Sequence, residues 1–458
     1  MATKSDAIVI GTGQAGPALA VRLSKAGMRV AVVERKLFGG TCVNTGCIPT
    51  KTMVASAAAA QAVRRAGDYG VRAPGSPAVD MKAVKDRKDR ISGASREGVE
   101  KTVRGLANGA VYFGHARFES AREVRVGDDV LTAEKIFINV GGRASTRRIE
   151  GIDAIPYYTN STMMAVDFVP DHLVIVGGSY VGLEFAQMYR RFGSKVTVVE
   201  MSDRLIARED EDVSAEIRSI VEREGVEVRT SATCITLEKG ETGPRVRVDC
   251  QDGAPTVEGS HLLLAVGRRP NTDDLGLDRA GVATDERGYI ETDDQLRTNV
   301  QGIWALGDCN GKGAFTHTAY NDFEIVAANL LDGDPRRVSD RIEAYALYID
   351  PPLGRCGMTE AGAKKAGKRI LVGKRLMKSI GRAVEKGETQ GFMKVVVDAD
   401  TKQILGAAIL GVGGDEIIHT VLDVMYAKAP YTLIQRAMHI HPTVAEYLPT
   451  VMGDLKPA

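Results

Sequence analysis

Two cysteines separated by four residues form the most chemically specific motif in the sequence, Cys42-Val-Asn-Thr-Gly-Cys47. Closing so short a loop removes little entropy from the unfolded chain, at most about 2 kcal/mol, so a stabilising disulfide is a poor explanation. A metal site is also poorly supported, because no second cysteine or histidine pair at ligand spacing accompanies the motif. The spacing therefore favours a redox-active pair whose reactive form is a thiolate.

A helix is expected directly after this pair. Pro49 can occupy the first helical position, where its missing N–H would have no partner in any case, and Gly67 is the predicted stop. Cys47 would then lie at or just before the positive end of the helix. That placement lowers the pKa of a thiol, as redox chemistry requires.

An internal repeat is the main indication of how the chain is organised. The segment 8–16 recurs as the segment 174–182, each with an apolar strand, a glycine turn and the start of a helix. The glycine positions are Gly11, Gly13 and Gly16 in the first copy and Gly177, Ser179 and Gly182 in the second. In this context the pattern predicts two dinucleotide-binding βαβ units, with each pyrophosphate at a helix N-terminus.

An acidic residue ends the second strand of each copy, Glu34 in the first and Glu200 in the second. Either could be an ordinary solvated carboxylate, but their matched distance from the first glycine predicts acceptors for ribose hydroxyls. Glu200 would also repel a 2′-phosphate, which favours NAD(H) over NADP(H). Arg204, four residues on, keeps NADP(H) open as the less favoured alternative.

The class of protein is limited by the length, charge and cysteine content of the chain. With 458 residues the chain should form two to four domains, and 60 basic against 59 acidic side chains leave no field to attract nucleic acid or an anionic membrane. No apolar run approaches the roughly 18 residues of a membrane span. Six cysteines are too few for a disulfide framework. We therefore expect a cytoplasmic protein without a metal site, and an α+β segment after about residue 336.

Taken together, residues 39–51, the two nucleotide units, Gly307-Asp308 and residues 439–446 resemble the pyridine nucleotide-disulfide oxidoreductase family. That family includes dihydrolipoamide dehydrogenase, glutathione reductase and mercuric reductase, and the resemblance extends over essentially the whole chain. It implies an α/β fold of two Rossmann-like domains, one for FAD and one for NAD, and a C-terminal α+β dimerisation domain in a homodimer. The expected divisions are 1–150 (FAD), 151–270 (NAD), 271–335 (FAD, second part) and 336–458 (dimerisation).

The same resemblance implies roles for the residues of the reaction centre. Cys42 would be the interchange thiol, and Cys47 the charge-transfer thiol facing the flavin. His441 would be the acid–base group, oriented by Glu446 and acting on Cys42 of the partner subunit. His439 is expected to be structural, which is also the commoner role of any single histidine.

Further positions acquire cofactor roles through the resemblance, although each could be an ordinary surface or packing residue if taken alone. Lys51 and Glu184 would form the ion pair beside flavin N5, and Tyr180 would be the aromatic gate over the nicotinamide pocket. Asp308 would bind the flavin ribityl or phosphate region. The remaining cofactor-binding positions are Thr41, Gly142 and Gly267.

The substrate is not specified by any residue. Residues 315–322 resemble the mercuric reductase branch, yet residues 437–458 lack the cysteine pair with which those enzymes deliver the metal. The favoured reaction is electron exchange with a small or protein-bound disulfide or dithiol. The alternatives are an NADH-dependent metal-ion, quinone or oxygen reductase and a slow redox-sensing flavoprotein. The other four cysteines are treated as bystanders: Cys234, Cys250, Cys309 and Cys356.

Overall fold

The computed structural model describes residues 3–72, 75, 77–146, 149–249 and 255–458. The predicted α/β class is confirmed, with parallel sheets in the N-terminal two thirds and an antiparallel sheet near the C-terminus. The strands are β1 (Thr3–Lys4), β2 (Ala7–Ile10), β3 (Val30–Glu34), β4 (Gly109–Phe113), β5 (Ala116–Ser120), β6 (Glu123–Val126), β7 (Asp129–Thr132), β8 (Lys135–Ile138), β9 (Gly142–Ala144), β10 (His172–Val176), β11 (Lys195–Val199), β12 (Val226–Arg229), β13 (Thr233–Lys239), β14 (Pro244–Asp249), β15 (Thr256–Glu258), β16 (His261–Leu264), β17 (Arg268–Pro270), β18 (Ile303–Ala305), β19 (Ala344–Leu347), β20 (Leu353–Gly357), β21 (Ile370–Leu376), β22 (Phe392–Asp398), β23 (Ile404–Leu410) and β24 (Lys456–Pro457).

The helices pack on and between these sheets. The α-helices are α1 (Ala15–Lys25), α2 (Gly40–Asn44), α3 (Cys47–Arg64), α4 (Met81–Arg104), α5 (Asn160–Met163), α6 (Tyr180–Phe192), α7 (Glu211–Arg223), α8 (Leu277–Ala280), α9 (Thr316–Ala327), α10 (Glu360–Lys365), α11 (Gly381–Glu385), α12 (Gly414–Tyr426), α13 (Thr432–Arg436) and α14 (Leu448–Gly453). Shorter turns of 3₁₀-helix are Ala66–Tyr69, Ile152–Ala154, Gly307–Asn310, Val338–Asp340, Met377–Ser379 and Ala445–Tyr447, and Ala328–Asp332 is a π-helical turn. Within the described ranges, no helix is long and apolar enough to cross a membrane.

The first glycine motif lies in a five-stranded parallel sheet of order β18-β8-β2-β3-β4. Alternate residues of β2 enter different cores: Ala7 and Val9 face one side of the sheet, and Ile8 and Ile10 face the other. Both faces are therefore covered, as expected for a doubly wound parallel sheet. The late strand β18 returns to the edge of this sheet beside β8.

The second glycine motif occupies the equivalent position in a four-stranded parallel sheet of order β12-β11-β10-β16. In both sheets the glycine strand lies between the strand that ends in the acidic residue and a strand from much later in sequence. This arrangement opens a crevice at the carboxyl ends of the strands, which is where dinucleotides bind in such folds. The repeat in sequence is therefore also a repeat in topology.

The C-terminal segment forms a six-stranded antiparallel sheet of order β19-β20-β23-β22-β21-β24, with α12 packed on β20 and β23. This segment contains both strands and helices, as the expected α+β segment after about residue 336 requires. In the second nucleotide unit, β16 is followed by a turn at Gly267, where φ is +113°.

The predicted bounds of the helix after the cysteine pair are wrong at both ends. It begins at Cys47, so Pro49 is the third helical residue rather than the first. This is possible because none of the first four N–H groups of a helix has an intrahelical acceptor. The helix ends at Arg64, before Gly67, and the left-handed residue that closes the following 3₁₀ turn is Gly70, with φ of +74°.

Candidate active site

Both cysteines of the motif lie where the short helix α2 leads into α3. Cys42 is in α2 and half-buried, and Cys47 is the exposed first residue of α3. Both are free thiols in this structure. At the first position of α3, Cys47 is close to the free N–H groups and the positive end of an 18-residue helix, as the sequence predicted.

The sulfur of Cys47 lies in a setting that favours the thiolate. A hydrogen bond from Cys42 is the largest cause of a pKa lowered to about 6, and the Thr316 hydroxyl and the positive charge of Lys51 act in the same direction. Burial and the negative charge of Glu184 oppose them. The Oγ1 of Thr316, the first residue of α9, lies 3.1 Å from the Cys47 sulfur.

Cys42 has the opposite tendency. Its hydrogen bond to Cys47 and its burial raise the pKa of Cys42 well above that of a free thiol. These opposite shifts favour the proton on Cys42 and the negative charge on Cys47. The two thiols are chemically distinct, and only Cys42 needs a base before it can act as a nucleophile.

A salt bridge stands next to the cysteine pair, between α3 and α6. Lys51 Nζ lies 2.6 Å from Glu184 Oε2, and only 4% of the Glu184 side chain is exposed. The backbone N–H of Tyr348 donates to the other Glu184 oxygen at 3.1 Å, and the Lys51 ammonium lies 4.6 Å from the centre of the Tyr348 ring. The lysine is thus held by two residues from separate parts of the sequence, Glu184 and Tyr348.

The predicted acid–base pair is formed at a different surface. Both carboxylate oxygens of Glu446 lie 3.1 Å from His441 Nδ1, which leaves Nε2 directed away from the carboxylate. The His441 side chain is 82% exposed and that of Glu446 is 16% exposed. In the part of the chain that the structure describes, no hydrogen bond joins His441 to either cysteine. His439 Nδ1 lies 3.1 Å from the carbonyl oxygen of Ala437, a local backbone contact.

The glycines of the first turn can be tested for their fit to a dinucleotide. A Cβ at Gly11 would lie 2.3 Å from the carbonyl oxygen of Asn139, and one at Gly16 would lie 2.2 Å from that of Gly11, so the close packing of the turn excludes side chains there. A Cβ at Gly13 would meet nothing closer than 3.4 Å. The chain's own packing does not require that glycine, whereas a pyrophosphate approaching the backbone does. The residues fit such a ligand.

The second turn repeats the tight packing and departs at the middle position. A Cβ at Gly177 would lie 2.4 Å from the carbonyl oxygen of Ala265, and one at Gly182 would lie 1.9 Å from that of Gly177. Ser179, in the place of Gly13, has an extended backbone with φ of −97°, which any residue can adopt. A side chain is therefore accommodated without strain in the second copy.

The acidic residues of the two copies make matching hydrogen bonds. Glu34 accepts from the N–H of Thr12 at 3.1 Å and from that of Lys36 at 2.9 Å. Glu200 accepts from the equivalent N–H groups, Gly178 at 2.6 Å and Ser202 at 2.8 Å. Each carboxylate therefore braces its glycine turn, and its oxygens still have lone pairs free to accept from a ribose.

A cavity of about 400 Å³ opens between the two nucleotide units and the C-terminal segment. Tyr180, Asp308 and Gly142, three of the predicted cofactor residues, line it. Arg268 joins two of them, since its Nη2 donates to the carbonyl oxygen of Gly142 at 2.6 Å and lies 3.3 Å from Asp308 Oδ2. Other residues that line the cavity are Arg208, Arg269, Tyr289, Lys312, Phe315, Thr318, Arg341 and Glu343.

Other predicted positions lie near these features. Thr41 Oγ1 is 3.5 Å from the carbonyl oxygen of Gly142, and Gly267 provides the positive-φ turn after β16. Cys309 and Cys356 are buried, and burial raises the pKa of each to about 12, so neither is a ready thiolate. Cys250 and the side chain of Cys234 lie outside the described residues.

Three residues of the site were not among the sequence predictions: Thr316 beside Cys47, Tyr348 beside Lys51, and Arg208 at the cavity. Thr316 falls inside the segment 315–322, which resembles the mercuric reductase branch. The resemblance therefore pointed to this segment but assigned no role to Thr316. Tyr348 acts partly through its backbone N–H, which no residue pattern could have indicated. Arg208 lies in a loop with no motif of its own.

Comparison with known protein families gives a consistent result. The family model described as "Pyridine nucleotide-disulphide oxidoreductase" matches residues 5–322. The model of the dimerisation domain of the same family matches residues 344–452. The two matches account for nearly all of the chain.

Individual relatives cover the chain from end to end. The "Probable pyridine nucleotide-disulfide oxidoreductase RclA" of Escherichia coli is 36% identical over 99% of this chain and 100% of its own. The dihydrolipoyl dehydrogenase of Haloferax volcanii is 32% identical over 97% of this chain and 95% of its own. The solved Cu(II) complex of the HOCl-induced flavoprotein disulfide reductase RclA from E. coli superposes with a TM-score of 0.89 and 34% identity, over 98% of this chain and 99% of that chain.

Proposed function

We propose a reaction that starts from one premise: this chain belongs to the pyridine nucleotide-disulphide oxidoreductase family. In this reaction electrons pass from NADH through FAD to the Cys42/Cys47 pair and on to a disulfide substrate. As a member of that family it is a flavoprotein disulfide oxidoreductase, with FAD and a pyridine nucleotide as cofactors. The proposal concerns the residues that carry the reaction and the class of substrate. The reverse reaction, oxidation of a dithiol such as dihydrolipoamide, uses the same groups.

The observation that carries the proposal is the division of charge between the two cysteines. Cys47 is set up as a thiolate beside Thr316 and Lys51, and Cys42 keeps its proton. A stabilised inner thiolate suits electron exchange with a flavin, and a protonated outer thiol suits controlled attack on a substrate. FAD, when bound, supplies the two-electron relay between nicotinamide and sulfur.

The cysteines exchange electrons with substrate through two displacement steps. Cys42, once deprotonated, attacks one sulfur of the substrate disulfide, forms a mixed disulfide and expels the first thiol. Cys47 thiolate then attacks the Cys42 sulfur and expels the second thiol, which closes the Cys42–Cys47 disulfide. Two electrons leave the cysteine pair, and the two expelled sulfurs each take up one proton, one of them released by Cys42 and the other supplied by solvent.

His441 is proposed as the group that moves those protons. Cys42 needs a base, and the Nε2 of His441 is free because Glu446 engages Nδ1. The exposure of His441 supports a role across the interface of a homodimer, next to Cys42 of the partner subunit. The matched dimerisation domain supports such a homodimer.

The cofactors are assigned to the two repeated units. We assign FAD to the first unit, Gly11 to Glu34, and the nicotinamide nucleotide to the second. The division into 1–150, 151–270, 271–335 and 336–458 is retained, since β18 returns to the first sheet. Lys51 with Glu184 would contact the flavin ring, and Asp308 its ribityl chain. A reducing, cytoplasmic location follows from the cysteine usage.

Glu200 supports NADH as the better nucleotide, because its carboxylate at the end of β11 would repel a 2′-phosphate. The test is kcat/KM of the holoenzyme for NADH and for NADPH with one acceptor. We expect NADH to be favoured by tenfold or more, since each factor of ten needs only about 1.4 kcal/mol. A clear preference for NADPH would contradict this assignment and point to Arg204.

The substrate class is tested by steady-state assays with lipoamide, glutathione disulfide, quinones, mercuric ion and Cu(II). Disulfide reduction should be fast in the wild type and lost in Cys42→Ser, which lacks the attacking sulfur. If no disulfide is turned over while quinones are reduced equally by wild type and Cys42→Ser, the proposed function is wrong and flavin-level reduction takes its place. Slow turnover with every acceptor would instead support a redox sensor.

Metal-ion reduction is the second candidate, favoured by the likeness to a disulfide reductase solved as a Cu(II) complex. Two adjacent thiols suit a soft or borderline metal ion as substrate. The Cu(II) assay distinguishes the two readings, because metal-ion reduction needs both sulfurs but not the proton transfer assigned to His441. His441→Ala should then retain Cu(II) reduction and lose disulfide turnover.

A further inference from the structure

Arg208 belongs to the loop that connects β11 to α7 in the second nucleotide unit. Its neighbour Glu209 is buried and accepts a hydrogen bond from the Tyr345 hydroxyl. Arg355 Nε, from β20, lies 3.2 Å from the second oxygen of Glu209. The residue after Arg208 is therefore held by the C-terminal segment rather than by its own nucleotide unit.

The next residues strengthen this attachment. Asp210 accepts from the backbone N–H groups of Glu360 and Ala361, each at 3.0 Å. Lys394, whose side chain is only 4% exposed, lies 3.1 Å from both Asp210 and Asp212. A buried ammonium among carboxylates fixes geometry strongly, since removing one partner leaves an uncompensated charge. The backbone on the C-terminal side of Arg208 is therefore firmly placed.

The side chain of Arg208 extends from this anchor to the cavity beside Tyr180. Its guanidinium carbon lies 5.9 Å from the centre of the Tyr180 ring and 5.5 Å from that of Tyr345. The Phe315 ring lies 5.6 Å from both tyrosine rings. The guanidinium thus lies beside an aromatic cluster, which satisfies none of its N–H donors.

Two other arginines that line the cavity are engaged by the chain itself. Arg268 is tied to Gly142 and Asp308, and Arg341 to Asp322 and Asn321. Within the described ranges, the guanidinium of Arg208 donates a hydrogen bond to no acceptor of the chain. An exposed guanidinium with unused donors at a basic cavity matches the oxygens of a phosphate.

We infer that Arg208 is a nucleotide-binding residue, which binds the phosphate on the nicotinamide side of NAD(H) next to the Tyr180 gate. This rests on the proposed function, because it assigns the nicotinamide nucleotide to the second unit. The helix N-terminus of α6 would bind the pyrophosphate from one side and Arg208 from the other. The C-terminal segment thereby takes part in nucleotide binding by positioning the loop that carries Arg208.

The test compares NAD⁺ with AMP, which lacks the nicotinamide-side phosphate. Calorimetric titration of the oxidised holoenzyme should show Arg208→Gln binding NAD⁺ roughly ten- to a hundredfold more weakly than wild type, the loss expected for a charge-assisted hydrogen bond. AMP affinity should stay unchanged. Arg208→Lys should recover part of the loss, and Arg223→Gln, an exposed arginine at the end of α7, should bind both ligands like wild type.

Steady-state kinetics give a second readout. Arg208→Gln should raise KM for NADH and leave KM for the disulfide unchanged. Equal NAD⁺ affinity in Arg208→Gln and wild type would overturn the inference, as would a parallel loss of AMP binding, which would mean that the loop is only structural. If the wild type itself binds neither NAD⁺ nor AMP, the proposed function fails as well.

Discussion

The two halves of the proposed reaction centre are constructed alike and presented differently. In each, a glutamate positions a basic group: Glu184 holds Lys51, and Glu446 holds His441. Glu184 is 4% exposed, and its lysine contacts two other parts of the same chain, at Glu184 and Tyr348. The histidine pair lies on a short C-terminal turn, beside Met438 and Ile440, which are 99% and 81% exposed.

The difference in exposure indicates whether each half acts within its own chain or at a contact with another chain. A basic group enclosed by its own chain already has the surroundings in which it acts. An exposed histidine that is oriented by only one carboxylate has only part of the surroundings in which it acts. The large exposed apolar side chains next to it form a surface that is typical of a contact with another protein. These surroundings support the proposal that the cysteine half is formed within one chain and that the histidine half is completed by a partner subunit.

The strongest test mixes two inactive variants. Cys42→Ser and His441→Ala should each lose disulfide turnover to background, while NADH still reduces the flavin. In a mixed dimer one site carries both lesions and the other carries neither. Dissociating and reassembling the two variants together should therefore restore about a quarter of wild-type activity, because half of the dimers are mixed and each has one intact site.

The outcome depends on a verified mixed dimer and on a wild type that recovers after the same treatment. His439→Ala is the matched control for the histidine half, since its ring contacts only a nearby carbonyl. It should remain active throughout. A tagged mixed dimer without activity would mean that His441 serves its own chain, and the contrast between the two halves would disappear.

The second prediction tests whether the cysteine half is complete within one chain. Two-electron reduction of the holoenzyme should produce a long-wavelength charge-transfer band from the Cys47 thiolate against the flavin. Cys47→Ser should abolish the band, whereas Cys42→Ser and His441→Ala should keep it. A band that survives Cys47→Ser and disappears in Cys42→Ser would reverse the assignment of the two sulfurs.

The third prediction concerns the carboxylate of the histidine half. Glu446→Gln keeps the shape of the side chain but removes its negative charge. The amide therefore orients the His441 ring less firmly and stabilises a positive charge on it less than the carboxylate does. We expect kcat for disulfide turnover to fall about 10- to 100-fold, a part of what general acid–base catalysis contributes. Flavin reduction by NADH, measured by rapid mixing, should not change. If it slows equally, Glu446 supports the fold of the dimer rather than the proton transfer.

Local patterns explain how much of this could be predicted from the sequence. The glycine turns, the strand-end acids and the cysteine motif depend on neighbours within a few tens of residues, and Gly11, Gly16, Gly177 and Gly182 are required by packing inside their own units. The bounds of α3 were wrong because several positions in a first turn can accept proline. Such errors of a few residues leave the site intact.

Contacts over long sequence separations could not be predicted. Thr316 meets Cys47 across 269 residues, and Tyr348 meets Glu184 across 164. Neither contact follows from a residue type, because a threonine or a backbone N–H can serve anywhere. The pairing of Lys51 with Glu184 was predicted only through the family resemblance, since the two residues are 133 positions apart.

The smallest expected effect comes from Thr316, which sharpens the description of the cysteine half. The pKa of Cys47 is lowered to about 6, so the thiolate exists above that pH and is protonated as the pH falls through it. The charge-transfer band of the reduced holoenzyme should therefore fade below about pH 6 in the wild type. Thr316→Val removes the hydroxyl at nearly constant volume, and the midpoint should rise by roughly one pH unit, the effect of losing one hydrogen bond to a charged group. Thr316→Ser keeps a hydroxyl and should titrate like wild type. An unchanged midpoint in Thr316→Val would mean that Cys42 and Lys51 hold the thiolate without help from α9.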